Sequence, residues 1–153
     1  PCSGRRRAGL GGGHGGQARC RTLAWGSPQH PGLIWTLGPG GRCLGMAFRV
    51  APGHWRQTRA YLRRREAAYR QILVTAQTER GEILVLTFAA DPRHGRHIGK
   101  QPLPLGARMV ARGEGGKGTS RGYLAGAIAA VRAMGGQPEP SLLRLQADRK
   151  SVV

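Results

Sequence analysis

Tyr61-Leu62-Arg63-Arg64-Arg65-Glu66-Ala67-Ala68-Tyr69 is the stretch where a helical pattern gives way to a strand pattern. Upstream of it, Pro52 suits the first turn of a helix. That helix is expected to run to about Ala67, on a thin apolar stripe of Trp55, the Arg59 stem and Leu62. Downstream, Ile72 to Gln77 and Ile83 to Ala90 are rich in Ile, Leu, Val, Thr and Phe and bracket Glu79-Arg80-Gly81-Glu82. That arrangement reads as a hairpin, closed at its far end by Asp91-Pro92.

The same stretch holds one of only seven carboxylates in 153 residues, the others being Glu79, Glu82, Asp91, Glu114, Glu139 and Asp148. Proton-transfer chemistry that needs a carboxylate must choose among these. Glu79 and Glu82 flank the hairpin turn, Asp91 precedes a proline, Glu114 lies in a Gly-rich loop, and Glu139 and Asp148 lie in a polar tail. Glu66 alone combines a helix C-terminus, a bordering strand and two flanking tyrosines. The negative end of the helix dipole and any burial disfavour its ionised form, while the preceding arginines favour it. Glu66 is therefore the first candidate for a general base.

Working outward, Leu44, Met46, Phe48 and Val50 alternate with Cys43, Gly45, Ala47 and Arg49, the pattern of a strand. The small residues of the second face would let a backbone or a ligand come close. Leu33-Ile34-Trp35-Thr36-Leu37 reads as a compact strand between the turns Pro28-Gln29-His30-Pro31-Gly32 and Gly38-Pro39-Gly40-Gly41, with a short strand at about 18–25 before it. Residues 1–16 are rich in Gly and Arg, leave little to bury, and read as a flexible lead-in. Residue 1 is not methionine, so a fragment is expected.

Beyond the hairpin, residues 92–103 read as an irregular loop, followed by a short helix at about 104–112. Ala111-Arg112-Gly113-Glu114-Gly115-Gly116-Lys117-Gly118-Thr119 looks superficially like a phosphate loop, but the Walker spacing fails, because Gly118 follows Lys117 and no Gly stands at 111. Thr119 or Ser120 instead caps a helix in which Leu124, Ala127, Ile128, Val131 and Met134 recur at helical spacing, ended by Gly135-Gly136. Leu142, Leu143 and Leu145 suit one more short helix. Strands, helix, two long strands and helices, in that order, make an α+β domain with a mainly antiparallel sheet. A single domain is expected over 17–153.

Composition narrows the function class. The net charge of +18 invites a nucleic-acid reading. Of the 25 basic residues, however, only Lys100, Lys117 and Lys150 are lysines, and Gly, Ala and Pro are also abundant. That bias fits a GC-rich coding sequence as well as it fits phosphate contacts. The arginines are scattered, with triplets only at Arg5-Arg6-Arg7 and Arg63-Arg64-Arg65. A solvated surface is the expectation; a basic nucleic-acid-binding module stands as the second alternative. Cys2, Cys20 and Cys43 form no CxxC and leave an odd number, which argues against a disulfide framework and suits a reducing compartment. No apolar run approaches membrane-spanning length. His94 and His97 lack a third ligand in their loop, so no metal site is expected.

The segments in this order resemble the ChaC family of γ-glutamylcyclotransferases, in the branch that degrades glutathione. The matching stretches are Ser27-Pro28-Gln29-His30-Pro31-Gly32-Leu33, residues 41–50, Tyr61 through Arg70, Leu86 through Asp91, Ala111-Arg112-Gly113, and Gly118-Thr119-Ser120-Arg121-Gly122-Tyr123-Leu124. The family's Tyr-Leu-x-x-Arg-Glu-x-x-x-Tyr pattern puts its glutamate on Glu66. Three departures stand out. No segment matches the family's Tyr-Gly-Ser-Leu loop, whose backbone N–H groups hold the γ-glutamyl moiety. Trp25 stands where an arginine is usual, and Ser120 where an asparagine is.

The resemblance implies a small β-barrel-like sheet with flanking helices. It also implies a cofactor-free, cytoplasmic, monomeric enzyme that cyclises the γ-glutamyl group of glutathione to 5-oxoproline and releases Cys-Gly. Glu66 would be the catalytic proton shuttle; without the resemblance, a surface pair with Arg63 or Arg70 would be the expectation. Tyr69, Tyr123, Ser120 and Arg65 would bind substrate. For Tyr69 and Tyr123 plain packing is the competing reading, and for Arg65 a solvated surface. The first alternative for the whole chain is a non-catalytic or truncated relative that lacks the substrate loop.

Overall fold

The computed structural model describes residues 5–10, 14–22, 25–39, 41–99 and 101–148. Four strands precede the first helix: β1 (Arg5–Leu10), β2 (His14–Thr22), β3 (Gly32–Pro39) and β4 (Cys43–Phe48). A 3₁₀ turn at Pro52–His54 leads into α1 (Trp55–Arg65). The hairpin β5 (Tyr69–Thr78) and β6 (Gly81–Ala90) follows, then α2 (Leu103–Arg112) and the two-residue strands β7 (Glu114–Gly115) and β8 (Gly118–Thr119). The chain closes with α3 (Ser120–Ala133) and α4 (Pro140–Asp148). The expected α+β class holds.

The contacts divide the chain into two units, Pro1–Gly15 with Leu37–Asp91, and Gly16–Thr36 with Pro92–Val153. In the first unit β6, β5, β1 and β4 lie side by side, with the end of β3 beside β6. Every pairing in this unit is antiparallel except β3 with β6, which runs parallel at Leu37 and Ala89. The hairpin register is unbroken from Tyr69 opposite Ala90 to Thr78 opposite Gly81. Its turn is tighter than the sequence suggested, with only Glu79 and Arg80 between the strands. Thr78 Oγ1 donates to Gly81 O at 2.8 Å and accepts the Arg80 N–H at 3.2 Å.

Two expectations are corrected in this unit. The lead-in over 1–16 was expected to be flexible, yet Arg5–Leu10 pairs along its whole length with β4. Ladder hydrogen bonds come from the backbone, so a segment with few apolar side chains can still join a sheet once a partner strand is in place. The first 18–25 strand is likewise earlier, at His14–Thr22. The second correction concerns the close approach expected on the small face of β4. The small face is the inward one: Ala47 and Ala76 are buried with Ile83 and Val85 against them, while Met46 and Phe48 are exposed. Nothing comes close at Gly45, where an added Cβ would meet no atom within 4 Å.

In the second unit β2 lies beside β3, and three helices supply the core. Leu33 of β3, Met109 and Val110 of α2, Leu124 and Ile128 of α3, and Leu142 and Leu145 of α4 form one buried cluster, with Trp35 and Ile98 packed on it. Each of the larger aliphatic side chains contributes about 1.5–3 kcal/mol on burial. Both ends of α3 are capped as its sequence dictates. Thr119 Oγ1 accepts the Gly122 N–H at 3.1 Å. At the other end Gly135, at φ 75°, donates to Arg132 O at 2.8 Å, and Gly136 donates to Val131 O at 3.0 Å. These two bonds form a Schellman motif, and the positive φ suits glycine.

Candidate active site

The C-terminus of α1 positions Glu66. The helix makes its last turn through the Glu66 N–H, which donates to Leu62 O at 2.8 Å. Glu66 itself has left helical geometry, at φ −104° and ψ 27°. Its carbonyl then accepts the Tyr69 N–H at 2.9 Å, a tight turn that hands the chain from α1 to β5. Ala67 and Ala68 let that turn close without bulk. The three arginines of the last helical turn, Arg63, Arg64 and Arg65, face the negative end of the dipole.

The helix buries none of its residues. The Glu66 side chain is nevertheless only 25% exposed, against 54% for Arg65. Arg65 Nε lies 3.0 Å from Glu66 Oε1, while Glu66 Oε2 has no protein partner among the described residues. Arg65 also donates through Nη1 to the Tyr61 hydroxyl oxygen at 3.2 Å. The Tyr61 hydroxyl first, and the Glu66 carboxylate after it, hold the Arg65 guanidinium above its ordinary value, so it carries its full charge at any physiological pH. A carboxylate with one oxygen held and the other open can accept a proton and return it without moving far.

The sequence-derived site residues fall into two groups. Glu66, Arg65 and Tyr69 come together at the junction of α1 and β5. Ser120 and Tyr123 belong to the second unit, where their hydroxyls are taken by backbone. Ser120 is wholly buried; its Oγ donates to Trp25 O at 2.7 Å and accepts the Leu33 N–H at 3.2 Å. The Tyr123 hydroxyl accepts the Trp35 N–H at 3.2 Å and donates to Trp35 O at 3.3 Å. Its ring lies on Trp25, with centroids 5.3 Å apart and planes at 35°. Trp25, the departure from the family's arginine, thus has a packing partner in Tyr123.

Three residues of consequence were missed. Tyr61 is one, and the signal for it was its spacing, four residues before Arg65 on the same helix face. Gly32 and Gly113 are the others. A Cβ on Gly32 would sit 2.0 Å from Trp25 O and 2.2 Å from Ser120 Oγ, and one on Gly113 would sit 2.7 Å from both the Gly32 Cα and Ser120 Oγ. Ser120 also donates its N–H to Gly113 O at 2.8 Å. Among the described residues no three His, Cys, Asp or Glu side chains gather to hold a metal ion. His94 Nδ1 instead accepts the Arg96 N–H at 3.2 Å. No helix among them is long and apolar enough to cross a membrane.

The chain is thus an α+β protein with a mainly antiparallel sheet and an acid side chain at a helix–strand junction. The chain matches the ChaC-like protein family over residues 17–149, and it belongs to that family. Its fold is shared with two crystal structures of a γ-glutamyl cyclotransferase specific to glutathione from yeast. The selenomethionine-labelled form is 18% identical, covers 99% of this chain and 90% of its own, and superposes with a TM-score of 0.86. The other is 18% identical, with 98% and 91% covered and a TM-score of 0.81. No curated relative matches.

Proposed function

We propose that this chain is a γ-glutamylcyclotransferase acting on glutathione, with Glu66 as its proton shuttle. The observation that carries the proposal is the half-held carboxylate at the α1–β5 junction, in a chain of the ChaC-like family whose fold matches the yeast enzyme. Glu66 Oε2 takes a proton from the α-ammonium of the γ-glutamyl group. The freed amine attacks the side-chain amide carbonyl of the same residue and closes a five-membered ring. The tetrahedral intermediate collapses as Glu66 returns the proton to the departing Cys-Gly nitrogen and the amide C–N bond breaks. The second proton of the ring nitrogen passes to the released amine, leaving a neutral lactam and the Cys-Gly ammonium. Atoms balance without water: glutathione gives 5-oxoproline and Cys-Gly. Because the ring closes within one molecule, the protein's task is orientation and proton transfer.

Tyr69, three residues beyond Glu66, borders the γ-glutamyl group in this proposal. Arg65 keeps N–H groups beyond the two it has committed, and those attract a carboxylate of the anionic substrate. Tyr123 and Ser120 act through the placement of β3 and of the Trp25 segment, because their hydroxyls are already engaged. The protein works as a monomer in the cytoplasm, where the thiol of glutathione and of Cys43 both stay reduced; a charge of +18 opposes self-association.

The test is incubation of the purified chain with glutathione, following 5-oxoproline and Cys-Gly. Equimolar release of the two supports the reading. Glutamate as the product would indicate hydrolysis instead, and intact glutathione would overturn the assignment.

A further inference from the structure

Arg65 and Glu66 are sequence neighbours, and neighbours on a helix diverge by about 100° and do not face each other. They pair here because Glu66 has left the helix while Arg65 is its last residue. A long, flexible guanidinium stem would not by itself hold that pairing in one geometry. Tyr61 supplies the second point. It stands four residues earlier on the same face, and its oxygen accepts from Nη1 while Nε donates to Glu66 Oε1.

We propose that Tyr61 is a positioning residue that fixes the plane of the Arg65 guanidinium, which in turn fixes the rotamer of the Glu66 carboxylate and leaves Oε2 open for the proton. The proposal rests on the reading of Glu66 as the base. The Nε and Nη1 donors lie in one plane, so holding Nη1 on Tyr61 sets the direction in which Nε reaches Glu66. An ammonium could make either contact as a point charge but could not transmit the orientation. Exposed pairs of this kind add little to folding stability. The effect therefore falls on the reacting geometry, and a stability measurement and a rate measurement separate the two roles. Because the Tyr61 hydroxyl acts through Arg65, which orients Glu66 and also attracts a substrate carboxylate, its loss should lower turnover by more than it weakens substrate affinity.

The experiment uses the full chain. Tyr61→Phe removes only the hydroxyl from a half-exposed ring, and kcat for 5-oxoproline release should fall about fivefold, with a smaller rise in KM and an unchanged melting temperature. Arg65→Lys keeps the charge but not the fork, and should fall at least as far. Unchanged kcat in Tyr61→Phe, or full activity in Arg65→Lys, would overturn the proposal. A readout independent of turnover is the Arg65 Nε–H resonance by NMR, which should be protected from solvent exchange in the wild type and lose protection in Tyr61→Phe. Protection lost in a chain that never turns over glutathione would uphold the relay and defeat the enzymatic reading. Protection indifferent to Tyr61 in an active chain would do the reverse.

Discussion

The two units of this chain are built on opposite economies of apolar side chain. The second buries Leu33, Val110, Leu124, Ile128, Leu142 and Leu145 in one cluster and seals it with specific polar bonds around Ser120. Among its described side chains the first buries Ala47, Val74, Ala76, Ala89 and Ala90, all alanines but one, and leaves Met46, Phe48, Leu73 and Leu84 exposed. Its integrity comes mainly from the ladders of β4, β1, β5 and β6, which are backbone interactions. Yet the first unit carries Glu66. As the proposed base, Glu66 lies in the unit with the smaller buried side chains, while the other unit is packed for stability. The contrast separates where the chain is held from where the proposed reaction would take place.

The largest effect that tests this contrast is expected from Leu142→Ala. The side chain is 1% exposed, at the centre of the second unit's cluster. Its truncation should cost about 2–5 kcal/mol in urea unfolding. A cost under about 1 kcal/mol would mean that the cluster is not the main store of stability. Next in size are two glycine substitutions that differ in what the new methyl group meets. Gly32→Ala drives a Cβ into the Trp25 carbonyl and Ser120 Oγ and should cost about 1–3 kcal/mol. Gly45→Ala on β4 meets nothing and should be neutral or stabilise by about 0.5–1 kcal/mol. If the two behaved alike, the close approach at Gly32 would be wrong.

Ser120→Ala should cost about 1–3 kcal/mol, because it leaves the Leu33 N–H and the Trp25 carbonyl without their partner. Loss of glutathione turnover in that variant with full stability would instead place Ser120 at the substrate. The smallest effect belongs to the open face of the first unit. Leu84, 69% exposed on β6, should tolerate Leu84→Ser within about 0.5 kcal/mol. A large loss there would show that this face is packed.

Much of this arrangement was legible in residue order. The α1 helix, the β5–β6 hairpin, the caps of α3 and the last helix follow from periodicity and from Thr119, Gly135 and Pro140. Position alone made Glu66, among seven acids, the candidate base, and that role remains the proposal. What escaped had physical causes. The pairing of Arg5–Leu10 depends on backbone donors that no side-chain pattern reports. The inward face of β4 was ambiguous because alternation marks two faces without saying which is covered, and here the partner at Ala76 accommodates Ala47. The knot of Gly32, Gly113, Ser120 and Trp25 joins residues up to 95 positions apart, beyond any local signal. The Arg65–Glu66 pair was hidden for the opposite reason: adjacent helical residues meet only once the helix has ended.

The proton shuttle is tested most directly by Glu66→Gln in the full chain, with 5-oxoproline release from glutathione measured beside the melting temperature. Glutamine keeps the shape of the side chain and removes its ability to take the proton. The account predicts a loss of about 100-fold or more in kcat at unchanged melting temperature. Turnover within about threefold of the wild type would contradict it.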